Sequence, residues 1–310
     1  MVPSNTGAQK EQLRRDSPRP LDWGCGQIVI SGKRAKGGND MTNKQSTLDH
    51  WEKFWQDKQQ IEQVYSNEDR IYQNLRRVTA LAGKRVLEVG AGSGRDSFQL
   101  AREDATVYVL DYSPRALEII NKLNDQHGCS LLLIQADALQ LPFGDGTLDI
   151  VFHQGLMEHF KEPGRLLSEQ FRVLKPGGLL LVDVPQRYHI YTLIKHGLIL
   201  LNRWFAGWET EFSIGQLKRL VQQAGFTVVH QYGRWMRPSL FYRMVRELLK
   251  KLGVSLPLYP PGIPGIRQLR ERLSRALAQQ PWAFQTFLDI GVVAQKPTGE
   301  ASPSFFATRN

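Results

Sequence analysis

A chain of 310 residues that is 41% hydrophobic can bury one substantial α/β core and still carry additions, and it holds no apolar run long enough to span a bilayer. Its two cysteines, Cys25 and Cys129, exclude a disulfide framework and lack ligand-type neighbours, which fits a soluble protein of a reducing cytoplasm with no metal. The formal charge of +10 is unevenly spread: residues 1–44 carry +4, residues 237–285 carry +7, and the remainder is close to neutral. Any attraction to nucleic acid or to an anionic surface therefore belongs to the additions and not to the core.

In chain order, residues 1–46 are polar and rich in Gly, Pro and basic groups with no sustained period, which predicts a disordered extension without a secretory apolar region. Lys36-Gly-Gly-Asn-Asp40 before Met41 could be encoded by a purine-rich stretch resembling a ribosome-binding site, so Met41 competes with Met1 as the start. A helix begins near Thr47, capped by Asp49 or Thr47, with Trp51, Phe54 and Trp55 at helical spacing.

Arg85-Val-Leu-Glu-Val-Gly-Ala-Gly-Ser-Gly-Arg-Asp96 then reads as a buried strand breaking into a glycine turn that opens a helix. The helix would aim free N–H groups and its positive dipole end into a crevice at the carboxyl edge of a sheet. A second apolar strand, Thr106 to Leu110, ends in Asp111, 21 positions after Gly90, where nucleoside-binding folds place a ribose-binding carboxylate. Ser113-Pro114 caps an amphipathic helix to Gln126, stopped by Gly128. A third strand, Leu131 to Gln135, runs into Ala136-Asp137-Ala138, and a fourth, Leu148 to Phe152, into His153-Gln-Gly-Leu-Met-Glu-His-Phe160.

A helix from Pro163 to Leu174 leads through the turn Lys175-Pro-Gly-Gly178 to a fifth strand, Leu179 to Val184. Residues 185–212 form an apolar and aromatic insertion, read as a lid packed on the core, a hydrophobic acceptor pocket, or a membrane-surface contact. After a helix capped by Ser213 and a strand from Phe226 to Tyr232, residues 236–285 form a second insertion with two basic helices around a Pro-rich stretch. Phe287 to Ala294 is the last strand, and residues 297–310 are expected to be a disordered tail.

Taken together, these motifs resemble the class I S-adenosylmethionine-dependent methyltransferases of the type 11 group, which includes quinone and small-molecule methylating enzymes. The resemblance covers roughly Thr47 to Gly233 and the last strand, and implies a methyltransferase domain over 47–296. It implies a doubly wound, seven-stranded Rossmann-like α/β sheet of strand order 3-2-1-4-5-7-6, with S-adenosyl-L-methionine as cofactor. By the same resemblance, Gly90, Ala91, Gly92 and Gly94 hold the methionine and ribose portion, Glu88 reaches the methionine amine through the loop, and Asp111 with Tyr112 takes the ribose. Asp137 and the Ala138 N–H meet the adenine, and His153 and Gln154 lie beneath the sulfonium. Trp51, Phe54, Trp55 or Tyr65 could cover the site, as amino-terminal helices do in related enzymes; the alternative is that they staple the helix to the core.

The residues themselves fit such roles. Asp111 is an acceptor-only group able to take two hydroxyls at once. A nicotinamide-binding dehydrogenase shares the glycines and the acid, but its spacing is Gly-x-Gly-x-x-Gly and its fingerprint has no Asp137-Ala138 element. His159, following strand four, is the leading general base if the acceptor is a hydroxyl; Glu158, Tyr188 and His189 are lesser candidates. The expected partner is a small acceptor, hydrophobic or quinone- or lipid-like, with peripheral membrane contact through the insertions; the chain is placed in the cytoplasm or at that membrane's surface. RNA or protein methylation, and a regulatory protein that binds the cofactor without catalysis, are the alternatives. Nucleic acid ranks lower because no recognised RNA-binding module is present and strand four lacks an Asn/Asp-Pro-Pro-aromatic pattern.

Overall fold

The computed structural model describes residues 48–57, 69–201, 209–260, 264–278 and 280–299. The expectations for residues 1–46, Met41, Tyr65, Trp204, Phe205, Trp208 and the end of the tail lie outside the described residues.

Two helices lead the domain, α1 (Leu48–Asp57) and α2 (Arg70–Val78). Thr47 lies outside the described residues, and Asp49 stands within α1 instead of capping it. The alternating core follows: β1 (Arg85–Val89), α3 (Arg95–Ala101), β2 (Thr106–Asp111), α4 (Pro114–His127), β3 (Leu132–Gln135), β4 (Leu148–Gln154), a short 3-10 turn (Met157–His159), α5 (Pro163–Val173) and β5 (Leu174–Pro185). The chain continues through α6 (Ile190–Leu200), α7 (Ile214–Gln223), β6 (Thr227–Arg234), α8 (Leu240–Lys251), α9 (Pro264–Leu277), a second 3-10 turn (Pro281–Gln285) and β7 (Asp289–Gln295).

The strands form one seven-stranded sheet of order β3-β2-β1-β4-β5-β7-β6. The first five run parallel, and β7 lies antiparallel between β5 and β6. Both expectations, the doubly wound fold and its strand order, are met. Strands so placed are buried on both faces, which is why they are near-continuous apolar runs. One face packs Leu166, Leu167 and Phe171 of α5 and Leu217 and Val221 of α7 against Leu87, Val151 and Leu180. The other packs Ile71 and Leu75 of α2, Phe98 of α3 and Ile120 of α4 against Val86, Val109 and Phe152.

Local chemistry sets the boundaries. The Ser113 side chain accepts from the Ala116 N–H with Pro114 in the first turn, and Gly128 ends α4 with φ 59°. Ser213 and Gln216 form a capping box on α7. Lys175-Pro-Gly-Gly178 is not a turn ahead of β5 but part of it: pairing steps from Leu148–Leu174 to Ile150–Leu179, so these residues bulge from the strand without ending it.

Because β6 runs parallel to β5 and β7 opposes both, Pro185, Arg234 and Asp289 meet at one edge of the sheet. The two insertions therefore leave and re-enter the core at the carboxyl edge, where the β1 glycine turn also opens.

Candidate functional site

The turn after β1 is built for close approach. Gly90, Gly92 and Gly94 hold φ of 68°, 54° and 63°, a region that favours glycine. A Cβ at Gly90 would lie 2.7 Å from the Leu156 side chain, and one at Gly92 2.6 Å from the Trp55 ring. The turn is pinned to β2 through its backbone: the Gly90 and Ala91 N–H groups donate to the Leu110 carbonyl at 2.8 and 3.2 Å.

Asp111 closes this cradle. One carboxylate oxygen accepts from the Gly92 N–H and the other from the Ser113 N–H, both at 2.8 Å. The Tyr112 N–H adds to these two, so three backbone N–H groups hold the carboxylate at the glycine turn. Burial raises the Asp111 carboxyl above its ordinary value, with the amides of Ser113 and Gly92 pulling the other way. Tyr112 beside it is exposed.

Glu88, at the end of β1, is buried and accepts from the Ser97 hydroxyl at 2.5 Å in the first turn of α3. Burial, then Asp96, raises its carboxyl well above the usual range. Asp137 follows β3 and folds back on its own loop, accepting the Leu139 N–H at 2.9 Å, with Ala138 buried next to it.

Helix α1 lies across this crevice. Trp55 covers Gly92, Glu52 accepts from the Ser113 hydroxyl and the Arg115 N–H, and Trp51 meets the His159 ring edge-on at 5.0 Å between centroids. Glu52 and Leu156 were not singled out by sequence reading; a glutamate one residue after Trp51 gave no signal until the helix was seated on the ends of β2 and β4.

His153 lies in the sheet interior at the end of β4. The ring is fully buried and turned to Gln170 of α5, and among the described residues neither ring nitrogen nor the Gln170 amide has a well-formed hydrogen bond. Side chains alternate along a strand, and Val151 faces the α5 side, so His153 two residues on does too. Its side chain is thus on the α5 face of the sheet; Gln154 points the other way and is partly exposed.

Burial pushes the His153 pKa from 6.5 down to about 3. The unfolded chain binds this proton more readily, so the contribution to stability is complete above about pH 6.5 and is lost as pH falls toward about 3. We expect His153→Gln, which cannot titrate, to flatten the fall of the urea midpoint between pH 7 and pH 4. A slope identical to that of the parent chain would reject this assignment.

Beyond β4 and β5 lies a second group of buried polar side chains. The Lys195 ammonium of α6 pairs with Glu209 at 2.6 Å and Glu211 at 2.7 Å, and Glu211 also meets His196 at 2.9 Å. Burial works against the charge on Lys195, but both glutamates outweigh it and hold its pKa above the ordinary lysine value. Glu158 sits nearby: its carbonyl accepts the Thr210 N–H at 2.9 Å, its side chain is 3% exposed, and Oε2 has no hydrogen-bond partner among the described residues. Burial, then Glu209, raises its carboxyl well above the usual range. His189 is committed locally, its ring accepting the Tyr191 N–H as the cap of α6, and Tyr188 is exposed.

A separate cleft of about 190 Å³ at the amino edge is lined by Lys84, Asp149 and Lys175. The Lys175–Asp149 pair at 2.8 Å spans it, and it lies at the opposite end of the strands from the glycine turn.

Comparison with known proteins bears on this arrangement. The family model of the methyltransferase domain matches residues 87–182, the span from β1 into β5. An uncharacterized methyltransferase of Synechocystis sp. is 34% identical over 53% of this chain and 77% of its own length. The chain belongs to the class I S-adenosylmethionine-dependent methyltransferases, type 11 group. A protein of Mycolicibacterium smegmatis named "Probable S-adenosylmethionine-dependent methyltransferase" is 27% identical over 72% of this chain and 76% of its own. The demethylmenaquinone methyltransferase of Clavibacter sepedonicus is 36% identical, but over only 34% of this chain and 43% of its own.

Among solved structures, Haemonchus contortus phosphoethanolamine N-methyltransferase 2 with S-adenosyl-L-methionine superposes with a TM-score of 0.51 at 21% identity, over 74% of this chain and 52% of that one. The [4+2]-cyclase SpnF superposes at 0.53 and 22% identity, over 78% and 86%. These likenesses show the fold alone, and the cyclase illustrates that one fold serves more than one reaction. This methyltransferase uses S-adenosyl-L-methionine, and its crevice holds the acceptor-only Asp111 carboxylate beside the glycine turn, with the Trp55 ring over Gly92.

Proposed function

We propose that this methyltransferase transfers a methyl group to a small, hydrophobic, quinone- or lipid-like acceptor that approaches from the carboxyl edge beside α6. The observation that carries this reading is the placement of the apolar insertion: it leaves the sheet at Pro185, next to the end of β4, and near its return Thr210 donates to the carbonyl of the buried Glu158. The match to demethylmenaquinone methyltransferases, confined to part of each chain, points the same way.

The proposed cofactor site consists of Gly90, Ala91, Gly92 and Gly94 as cradle, Glu88 beneath it, Asp111 and Tyr112 at the ribose, and Asp137 and Ala138 at the adenine. Gln154 borders the reactive end, whereas His153 contributes backbone only. Trp55 and Trp51 would cover the bound cofactor. The domain is read as residues 47–296, with 185–212 and 236–285 as insertions into it.

Bound S-adenosyl-L-methionine supplies an already activated methyl on a sulfonium whose leaving group is a neutral thioether. The protein's task is then alignment and exclusion of water, and orientation alone can supply about 7 to 11 kcal/mol in well-aligned cases. For a hydroxyl acceptor a base is also needed, and His159, beside Trp51 at the end of β4, is the residue proposed. His159→Gln should lower kcat with a hydroxyl acceptor by about 100-fold or more while leaving cofactor affinity within about twofold. Near-normal turnover would remove His159 from the chemistry.

The reading as a whole is tested by incubating the protein and labelled S-adenosyl-L-methionine with cell extract, then partitioning the products. Label is expected in the organic phase; label confined to RNA or protein would replace the proposed acceptor with a macromolecule.

A further inference from the structure

Among the described residues, every exposed large apolar side chain except Tyr112 and Val229 lies in the two insertions. Helix α6 is inverted relative to a helix packed by its apolar face: it buries Thr192 and Lys195, the latter 2% exposed, and turns Leu193 and Leu200 outward, the latter 82% exposed. Helix α8 has no buried residue. Phe241, Met244, Leu248 and Leu252, at spacings of three and four, form a single stripe along it, all exposed. Helix α9 repeats the pattern with Leu269 and Leu273.

Topology gathers these stripes. α6 follows the end of β5, α8 follows the end of β6, and α9 leads into the start of β7, so all three are inserted at the carboxyl edge, where the glycine crevice opens. Near the amino end of α6, Tyr191 feels the charge of Arg243 on α8. Apolar stripes of this extent on one side of a soluble core mark a contact surface and not a solvated face.

Charge selects the occupant. The segment from Arg237 to Gln285 holds nine Lys and Arg against Glu247 and Glu271. Lys250 and Lys251 are exposed at the end of α8, and Arg272 is exposed beside Leu273 on α9. Leucine and phenylalanine on one flank with lysine and arginine beside them is the composition of helices that lie in the headgroup region of an anionic bilayer. A second copy of the chain would bring like charges together along the same stripes.

We infer that α6, α8 and α9 form a docking surface for an anionic lipid bilayer, which sets the carboxyl edge, and with it the acceptor entrance, against the membrane. This deepens the functional reading by naming the partner, and rests on it only for the purpose of docking, since no acceptor is needed for the chain to bind.

The test is flotation of the full chain with phosphatidylcholine vesicles, with and without phosphatidylglycerol, at low and moderate salt. Binding is expected only with phosphatidylglycerol and should weaken with salt. The pair Met244→Asp with Leu248→Asp should reduce it by about tenfold or more, as should Lys250→Glu with Lys251→Glu, while Val229→Asp on β6 should not. Calorimetric binding of S-adenosyl-L-methionine, equal in all variants, shows that each is folded. Failure of the parent chain to float, or unchanged flotation of both paired variants, would overturn the inference. So would a dimer in sedimentation that the same α8 variants dissolve, since the stripes would then be covered by a second copy. Methyl transfer to extract is scored separately, so loss of docking leaves the acceptor reading standing and loss of transfer leaves docking standing.

Discussion

Replacing Asp111 by alanine is expected to weaken binding of S-adenosyl-L-methionine by about 100-fold or more, as measured by calorimetry. Hydrogen bonds to a charged group contribute about 1.5 to 3 kcal/mol each, and leaving buried donors without an acceptor adds to the loss. Asp111 is placed for both effects. Its two oxygens already organise the glycine turn by accepting the Gly92 and Ser113 N–H groups, and the carboxylate stands at the end of β2 beside the crevice. Asp111→Asn should also weaken binding, for a distinct reason: whichever side the amide NH2 takes, it meets a backbone N–H that needs an acceptor. An affinity unchanged in both variants would mean that the crevice takes the cofactor some other way.

The largest effect on stability is expected at Arg70. Its guanidinium, 6% exposed, joins Asp183 of β5 at 2.7 Å and Asp289 at the start of β7 at 2.8 Å, so one side chain of α2 ties two strands that run in opposite directions. Arg70→Met strands a carboxylate that is 1% exposed. Breaking a buried pair from one side costs about 3 to 5 kcal/mol, on the order of 10 °C in Tm for a domain of this size. The double variant Arg70→Met with Asp183→Leu should recover part of that loss, because no unpaired charge is then buried between the strands. Tm measured by calorimetry checks both, and a single variant as stable as the parent would show that the pair only offsets its own desolvation.

Much of the fold and the core of the candidate site could be read before any coordinates. Parallel strands buried on both faces must be apolar runs, and a strand that breaks into Gly-x-Gly-x-Gly must turn sharply, so β1, β2, β3 and β4 and the cradle could be placed from local pattern. Ser113-Pro114, Gly128 and Ser213 marked helix limits because capping is a contact between near neighbours in the chain.

Three features could not be read in that way. The side to which His153 points depends on the alternation of β4 relative to α5, and a histidine between strand and loop fits either face. The lid reading of residues 185–212 assumed that apolar residues face inward, whereas α6 faces the other way because Glu209 and Glu211, beyond the reach of a helical turn, meet Lys195 and draw it into the protein. Arg70 carries no local signal; its role follows from α2 lying against β5 and β7.

The sequence by itself determined the order of elements, the glycine turn, the acid at the end of β2 and the uneven charge, since each rests on contacts within a few residues or on composition. The tertiary structure decided which faces of α6 and α8 meet solvent, which way His153 turns, and which carboxylates Arg70 and Lys195 neutralise. Those outcomes depend on pairings beyond near neighbours in the chain, whose energies of burial and charge exist only once the fold has brought the partners together.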